Sequence, residues 1–201
     1  MNEWNEFFRE KMEKIFTEKT SVIDIGGTLG IDGSRSNRVK KQNEWIEKYL
    51  PRVDYKVLDK VADYHPDIVG DIHALPFPDN SVEAIICSSV IEHVENPILA
   101  VEEIYRVLKP GGYAYFYAPF IFYYHGEPGY YKDYYRFTYD GWEHLTRQFK
   151  TREIAPVHGP FGTMLNLLPF LSERMSWMKP IDRWLRPNSR QTSGYNVFCV
   201  K

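Results

Sequence analysis

The chain has 201 residues, 25 of them basic and 27 acidic, a formal charge of −2 and a hydrophobic fraction of 43%. That length suits one globular domain, residues 1–201, with a substantial core. The balanced charge excludes the clustered basic excess of a nucleic-acid binder, and the basic run 35–41 reads as a solvated face. Cys87 and Cys199 are the only cysteines and each sits inside an apolar run, so they read as small core residues rather than a disulfide scaffold. Charges run throughout residues 1–16, unlike a signal peptide, and no apolar run approaches the ~20 residues that span a bilayer. The expectation is a soluble, cytoplasmic protein.

In chain order, Trp4, Phe7, Phe8, Ile15 and Phe16 recur at roughly helical spacing and predict an amphipathic helix within residues 1–20. Residues 21–25 form a short β-branched run that Gly26-Gly27 ends, a strand leading into a tight turn. A polar loop, 31–39, precedes a helix over 40–50 that Pro51 should stop. Strands are expected at 55–59, 67–72, 82–89, 113–120, 152–157 and 195–200. Between them lie helices at 97–108, with Pro97 in the first turn, and 138–149, with Thr138 as cap. Lys109-Pro-Gly-Gly112 should end the first of these and turn the chain. Strands alternating with helices predict an α/β fold: a doubly wound, Rossmann-like, seven-stranded sheet, mostly parallel, with helices on both faces.

Two stretches fall outside this rhythm. Fifteen tyrosines contribute to an aromatic content of 16%, and many crowd into 113–139. Residues 158–193 look like an insert before the last strand, with tryptophans and basic residues interleaved. The insert could pack over the sheet, close over an acceptor as a lid, mediate an oligomer contact or lie on a membrane surface.

Three features line up at successive strand ends, where open α/β sheets bind ligands. The first is Asp24-Ile-Gly-Gly-Thr-Leu-Gly30, whose glycines let a ligand approach the backbone. The second is Asp59, placed to accept hydrogen bonds from ribose hydroxyls. The third is Asp71-Ile72. The glycine turn resembles the first motif of class I S-adenosylmethionine-dependent methyltransferases. The stretch 70–94, with Leu75-Pro-Phe77, a turn, an apolar strand and Glu92-His93, is similar to the small-molecule branch that includes ubiquinone and menaquinone biosynthesis enzymes. Leu108-Lys-Pro-Gly-Gly112 is similar to the same family's helix-to-strand turn, and 198–201 to the end of its reversed last strand.

The resemblance implies S-adenosylmethionine as cofactor. Asp24, Gly26, Gly27, Thr28 and Gly30 would meet its methionine end, Asp59 its ribose, Asp71 and the Ile72 amide its adenine. Ser88 and Ser89 would border the methionine moiety. Thr28 departs from the motif, standing where its middle glycine belongs.

Methyl transfer chiefly requires alignment of donor and nucleophile, with proton removal when the acceptor is a hydroxyl. His93 is one candidate catalytic group; a loop-capping histidine is the competing reading. The second lies in residues 121–137, a tyrosine-rich acceptor loop whose His125…Asp133-Tyr-Tyr-Arg-Phe-Thr138 pattern resembles methyltransferases of cell-surface glycan pathways. There His125 could act as base with Asp133 orienting it, while Tyr123, Tyr135 and Arg136 bind substrate. Against this stands a structural loop in which Asp133 and Arg136 merely pair. His125, Glu127 and Asp133 lack the spacing of a zinc or calcium motif, so no metal is expected. The acceptor is read as a small molecule or glycan-linked group, methylated at oxygen. A non-catalytic binding protein of the same fold and a nicotinamide-dependent oxidoreductase remain alternatives. Thr28 favours the former; the glycine spacing disfavours the latter.

Overall fold

The computed structural model describes residues 3–31, 41–167 and 190–201. One seven-stranded sheet organises them, in the order β3-β2-β1-β4-β5-β7-β6. The strands are β1 (Ser21–Ile25), β2 (Asp54–Asp59), β3 (Ile68–Val69), β4 (Val82–Ser88), β5 (Leu108–Pro119), β6 (Thr151–Pro156) and β7 (Gly194–Val200). Strands β1 to β5 pair in parallel, and β7 runs antiparallel to both β5 and β6. This is the expected mostly parallel sheet with a reversed last strand.

Strand side chains alternate between faces, and each face buries its own set. On one side Ile23, Ile25, Ile85, Cys87 and Phe116 pack under α2 (Pro97–Val107) and α3 (Tyr139–Leu145), whose Ile104 and Trp142 are fully buried. On the other, Val22, Ala84, Ile86 and Tyr115 meet Met12, Ile15 and Phe16 of α1 (Glu3–Glu18) and Ile46 of a 3-10 helix, Lys41–Arg52. Helices on both faces make the sheet doubly wound. Cys87 and Cys199 are buried and unbridged, as their surroundings in the sequence suggested.

Local chemistry accounts for the element ends. Thr138 caps α3 by accepting a hydrogen bond from the Gly141 amide, and Asn96 caps α2 through the Leu99 amide, with Pro97 in the first turn. Four sequence expectations need correction. The element after the polar loop is 3-10 rather than α, and it runs on through Pro51 to Arg52. Strand β3 is two residues long, so Asp71 and Ile72 sit beyond it in the following turn. Lys109-Pro-Gly-Gly112 joins β5 rather than ending before it. Its extra residues are absorbed where the β4–β5 register jumps from Val82↔Leu108 to Ala84↔Tyr113, and Gly111 takes φ 75°. Finally, α3 stops at Leu145, short of the expected Phe149.

Of the stretch 158–193, a short helix α4 (Pro160–Asn166) and residues 190–193 are described. The expected lid, oligomer contact or membrane face falls on 168–189, outside the described residues, as does most of the loop 31–39. No helix among the described residues is long and apolar enough to cross a membrane.

Candidate active site

The strand order reverses direction between β1 and β4, and a crevice at the carboxyl ends of the strands on either side of such a switch is where open sheets take ligands. A cavity of about 970 Å³ opens there. That lies at the upper end of the usual range for small-molecule sites, about 300–1,000 Å³, and suits a cofactor together with an acceptor.

One end of the cavity is built by the turn after β1. Gly26 has φ 84° and Gly27 φ 59°, backbone that L side chains rarely adopt. A Cβ on Gly26 would stand 2.5 Å from Val90 Cγ2, so only glycine lets β1 and the end of β4 close up. Asp24 holds the turn from below. Its fully buried carboxylate accepts from the Leu29 amide at 3.1 Å and the Tyr55 hydroxyl at 2.6 Å. Thr28 lines the cavity and is not among the residues of positive φ, so its Cβ is accommodated without backbone strain. Its hydroxyl oxygen has no hydrogen-bond partner among the described residues, leaving a polar atom for a ligand to satisfy.

Asp59, Asp71, Ile72 and Ser89 also line this end. Asp59 anchors the next turn by accepting from the Val61 amide at 2.8 Å. Asp71 accepts from the His73 amide and ring and pairs with Lys60 at 2.8 Å. Burial alone would raise its pKa, but Lys60 and His73 together hold it down at about 2. Three of the residues assigned to the cofactor do not line the cavity: Asp24 and Gly30 lie beneath the turn and Ser88 remains in β4.

The tyrosine-rich loop closes the other end. Gly129 (φ 87°) turns a small hairpin in which Glu127 pairs with Tyr131, and Tyr130 stacks on Tyr64 with centroids 5.3 Å apart. The loop is pinned where the Tyr134 and Tyr135 amides donate to the Glu92 carbonyl, at 2.9 and 3.1 Å. It thereby brings His125 beside His93, two residues 32 positions apart in the chain (125 − 93). Their rings meet edge to face at 4.7 Å and both line the cavity.

Behind them lies Glu92, whose side chain is wholly buried. Its Oε1 is 3.6 Å from His125 Nε2 and 3.8 Å from His93 Nε2. The Glu92 carboxylate, ahead of the opposing effect of burial, raises the His125 pKa above its ordinary 6.5.

Asp133 does not reach the cavity. Its buried carboxylate accepts from the His125 amide at 2.9 Å, lies 3.2 Å from His125 Nδ1, and is gripped by both terminal nitrogens of Arg136. That guanidinium is the main reason its pKa falls to about 2. Arg136 also donates to the Tyr123 and Tyr135 carbonyls, so its donors are spent on the loop itself. The pairing occurs in a loop without regular structure. Tyr123 and Tyr135 likewise stay off the cavity wall, the Tyr135 hydroxyl donating to the Glu95 carbonyl at 2.9 Å. The aromatic wall is instead Tyr64, Tyr124, Tyr130, Tyr131 and Tyr134. Sequence reasoning missed these five, together with Glu92 as a partner of both histidines. The crowding of tyrosines was visible; which of them face inward depends on the Gly129 hairpin.

Comparison with known proteins bears on this geometry. The methyltransferase-domain family profile matches residues 28–116, which begin within the glycine turn at Thr28 and include Asp59, Asp71 and the β4 end. Residues 28–116, a little under half of the chain, are thus similar to a methyltransferase domain. Within the relatives, 2-methyl-6-phytyl-1,4-hydroquinone methyltransferase 2 of Oryza sativa subsp. japonica is 31% identical over 120 residues, covering 55% of this chain and 33% of its own. A ubiquinone/menaquinone biosynthesis C-methyltransferase of Ruegeria sp. is 49% identical over 67 residues, covering 33% and 26%. The chain thus spans a third or less of the length of these curated relatives. A SAM-dependent methyltransferase from Archaeoglobus fulgidus shares the fold with a TM-score of 0.57 at 14% identity, over 98% of this chain and 94% of that one. Another from Mesorhizobium loti gives 0.56 at 14% identity, over 91% of each. The cofactor this methyltransferase domain implies, S-adenosylmethionine, fits the residues present: a cradle that a Cβ would fill, an orphaned Thr28 hydroxyl and the Asp59 carboxylate.

Proposed function

We propose that the chain transfers a methyl group from S-adenosylmethionine to an oxygen of a small-molecule acceptor. The observation that carries this reading is the continuity of one cavity, with the glycine turn, Asp59 and Asp71 at one end and His93 and His125 at the other. The cofactor, when bound, supplies the activated methyl group. Asp24, through the Leu29 amide, keeps the turn in shape, Thr28 offers its hydroxyl, and Asp59 accepts from the ribose. Asp71 and the Ile72 amide border the adenine, and Ser89 the methionine moiety.

His93 and His125 are the catalytic residues that meet the acceptor's nucleophilic group. Asp133 acts through His125 and is a positioning residue, as is Arg136 through Asp133. The stacked Tyr64 and Tyr130 rings offer a flat wall suited to a planar ring or to the apolar face of a sugar. That wall supports a quinol-like or glycan-linked acceptor over a charged one. Two buried, unbridged cysteines support a reducing compartment such as the cytoplasm.

Isotope-labelled S-adenosylmethionine offered with hydroquinones and with free glycans tests the reading, the product being located by NMR. A new O-methyl signal, lost in His125→Ala, is expected. A methyl group on carbon would overturn the oxygen assignment, and no transfer to any acceptor despite cofactor binding would favour a non-catalytic binding protein.

A further inference from the structure

Glu92 presents a problem that methyl transfer does not solve. Its side chain is fully buried, yet neither carboxylate oxygen has a hydrogen-bond partner among the described residues. Burying a carboxylate without such partners costs several kcal/mol on general grounds, so something in the working protein should compensate it. What faces it is a pair of imidazoles. One ligand atom from each of Glu92, His93 and His125 lies within 4.8 Å of those of the other two.

The far nitrogens of the two rings are held in a matching way. His93 Nδ1 donates to the Lys132 carbonyl at 2.7 Å, which leaves Nε2 as the nitrogen that faces Glu92. His125 Nδ1 lies 3.1 Å from the Tyr123 carbonyl, 3.2 Å from the Asp133 carboxylate and 3.4 Å from Arg136 Nη2, and its Nε2 likewise faces Glu92. Both imidazoles thus turn Nε2 toward one carboxylate, each with an acceptor beside its far nitrogen. Acceptors on the far nitrogen are how proteins orient histidines on metals.

We propose that Glu92, His93 and His125 bind a first-row divalent transition-metal ion at the inner wall of the cavity. The two Glu–His separations, 3.6 and 3.8 Å, are a few tenths of an ångström beyond the ~3.4 Å edge of a tetrahedron with bonds near 2.1 Å, so modest side-chain rotation closes the set. Two imidazoles and one carboxylate suit zinc, cobalt, iron or manganese rather than calcium or magnesium. No fourth His, Cys, Asp or Glu joins the group among the described residues, and both histidines face the cavity. The remaining positions are therefore open to a ligand, as in catalytic rather than structural sites. The exogenous ligand of that class is an oxygen donor, such as a hydroxyl of the acceptor, which the ion would make more acidic.

Sequence spacing argued against a metal because the third ligand, His125, comes from a distant loop, and because Asp133 was counted as a ligand when it backs one. The binding claim stands apart from the methyltransferase reading, since it needs neither cofactor nor acceptor.

The test is a titration of the chelator-treated full chain with Co²⁺ alone, followed by visible absorption and melting temperature, with Zn²⁺ as competitor. One equivalent per chain, ligand-field bands and a raised melting temperature are expected. His93→Ala and His125→Ala should weaken binding at least a hundredfold, and Asp133→Asn about tenfold to a hundredfold through the orientation of His125. Glu92→Gln guards against misfolding as an explanation. In chelator it should melt no lower than the wild type, because a buried charge has been removed, yet gain nothing from the metal. Absence of saturable Co²⁺ or Zn²⁺ binding by the folded wild type, or binding that survives in both Glu92→Gln and His125→Ala, would overturn the proposal.

Discussion

The two ends of the cavity are made in different ways. The glycine-turn end rests on the sheet: Gly26 and Gly27 follow β1 directly, Asp59 closes β2, and Asp24 ties the turn to Tyr55 inside the core. The tyrosine-rich end has no regular element of its own. Residues 123–138 are held by a hairpin at Gly129, by two amides on the Glu92 carbonyl and by the Asp133–Arg136 pair. One end is fixed by strand geometry, whose carbonyls and amides are already committed. The other is fixed by side chains, so its shape depends on particular residues. On the proposed reading, cofactor recognition sits on the rigid end and acceptor chemistry on the end that single substitutions can reshape.

Substitutions can sharpen or break this contrast. The largest effect is expected from His125→Ala. Turnover should fall by about 10²–10⁴-fold, with affinity for S-adenosylhomocysteine unchanged within a few-fold. Steady-state kinetics beside calorimetry decides it, and a parallel loss of both would mean that the two ends are not separable. Next comes Gly26→Ala, which adds a Cβ 2.5 Å from Val90 Cγ2 at φ 84°. A loss of about 2–4 kcal/mol of stability, combining overpacking with backbone strain, should appear in denaturant unfolding. A loss under 0.5 kcal/mol would show that the turn is not the rigid end.

A smaller effect concerns the frame beneath the site. Glu83, at the start of β4, accepts from the amide and hydroxyl of Thr20 and pairs with Lys109. The Thr20 amide, then Lys109, lowers its pKa from an ordinary 4.5 to about 2. A folded-state pKa below the unfolded one contributes stability above pH 4.5 that is lost as pH falls toward 2. Glu83→Gln should therefore cost about 1–2 kcal/mol at pH 7 and progressively less below pH 4.5. A pH-independent difference in urea midpoints would contradict the electrostatic origin.

The contrast also explains what could be read from the residues alone. The sheet was legible because β1, β4 and β7 are apolar runs bounded by glycine, proline or polar turns, and because Gly26, Asp59 and Asp71 fall at fixed places relative to strand ends. Short-range chemistry such as the Thr138 cap and Pro97 was legible for the same reason. The loop was not. His125, Asp133 and Arg136 could be named as a group, but which faced the cavity depended on a hairpin and on the Glu92 carbonyl, contacts made across 32 to 43 positions in the chain (125 − 93, 135 − 92). Arg136 looked like a substrate clamp and proved to be a strut. Glu92 was seen as part of a motif, and its buried carboxylate became meaningful only with His125 beside it. Thr28, an oddity in the glycine turn, sits in ordinary backbone, its hydroxyl without a hydrogen-bond partner among the described residues.

The central claim is that the glycine-turn end holds S-adenosylmethionine with its ribose on Asp59. Calorimetric titration with S-adenosylhomocysteine, wild type against Asp59→Ala, tests it most directly. Saturable one-to-one binding is predicted for the wild type, weakened about 10–100-fold in the variant by loss of charge-assisted hydrogen bonds. No saturable binding by the folded wild type, or an affinity that Asp59→Ala leaves unchanged, would contradict it.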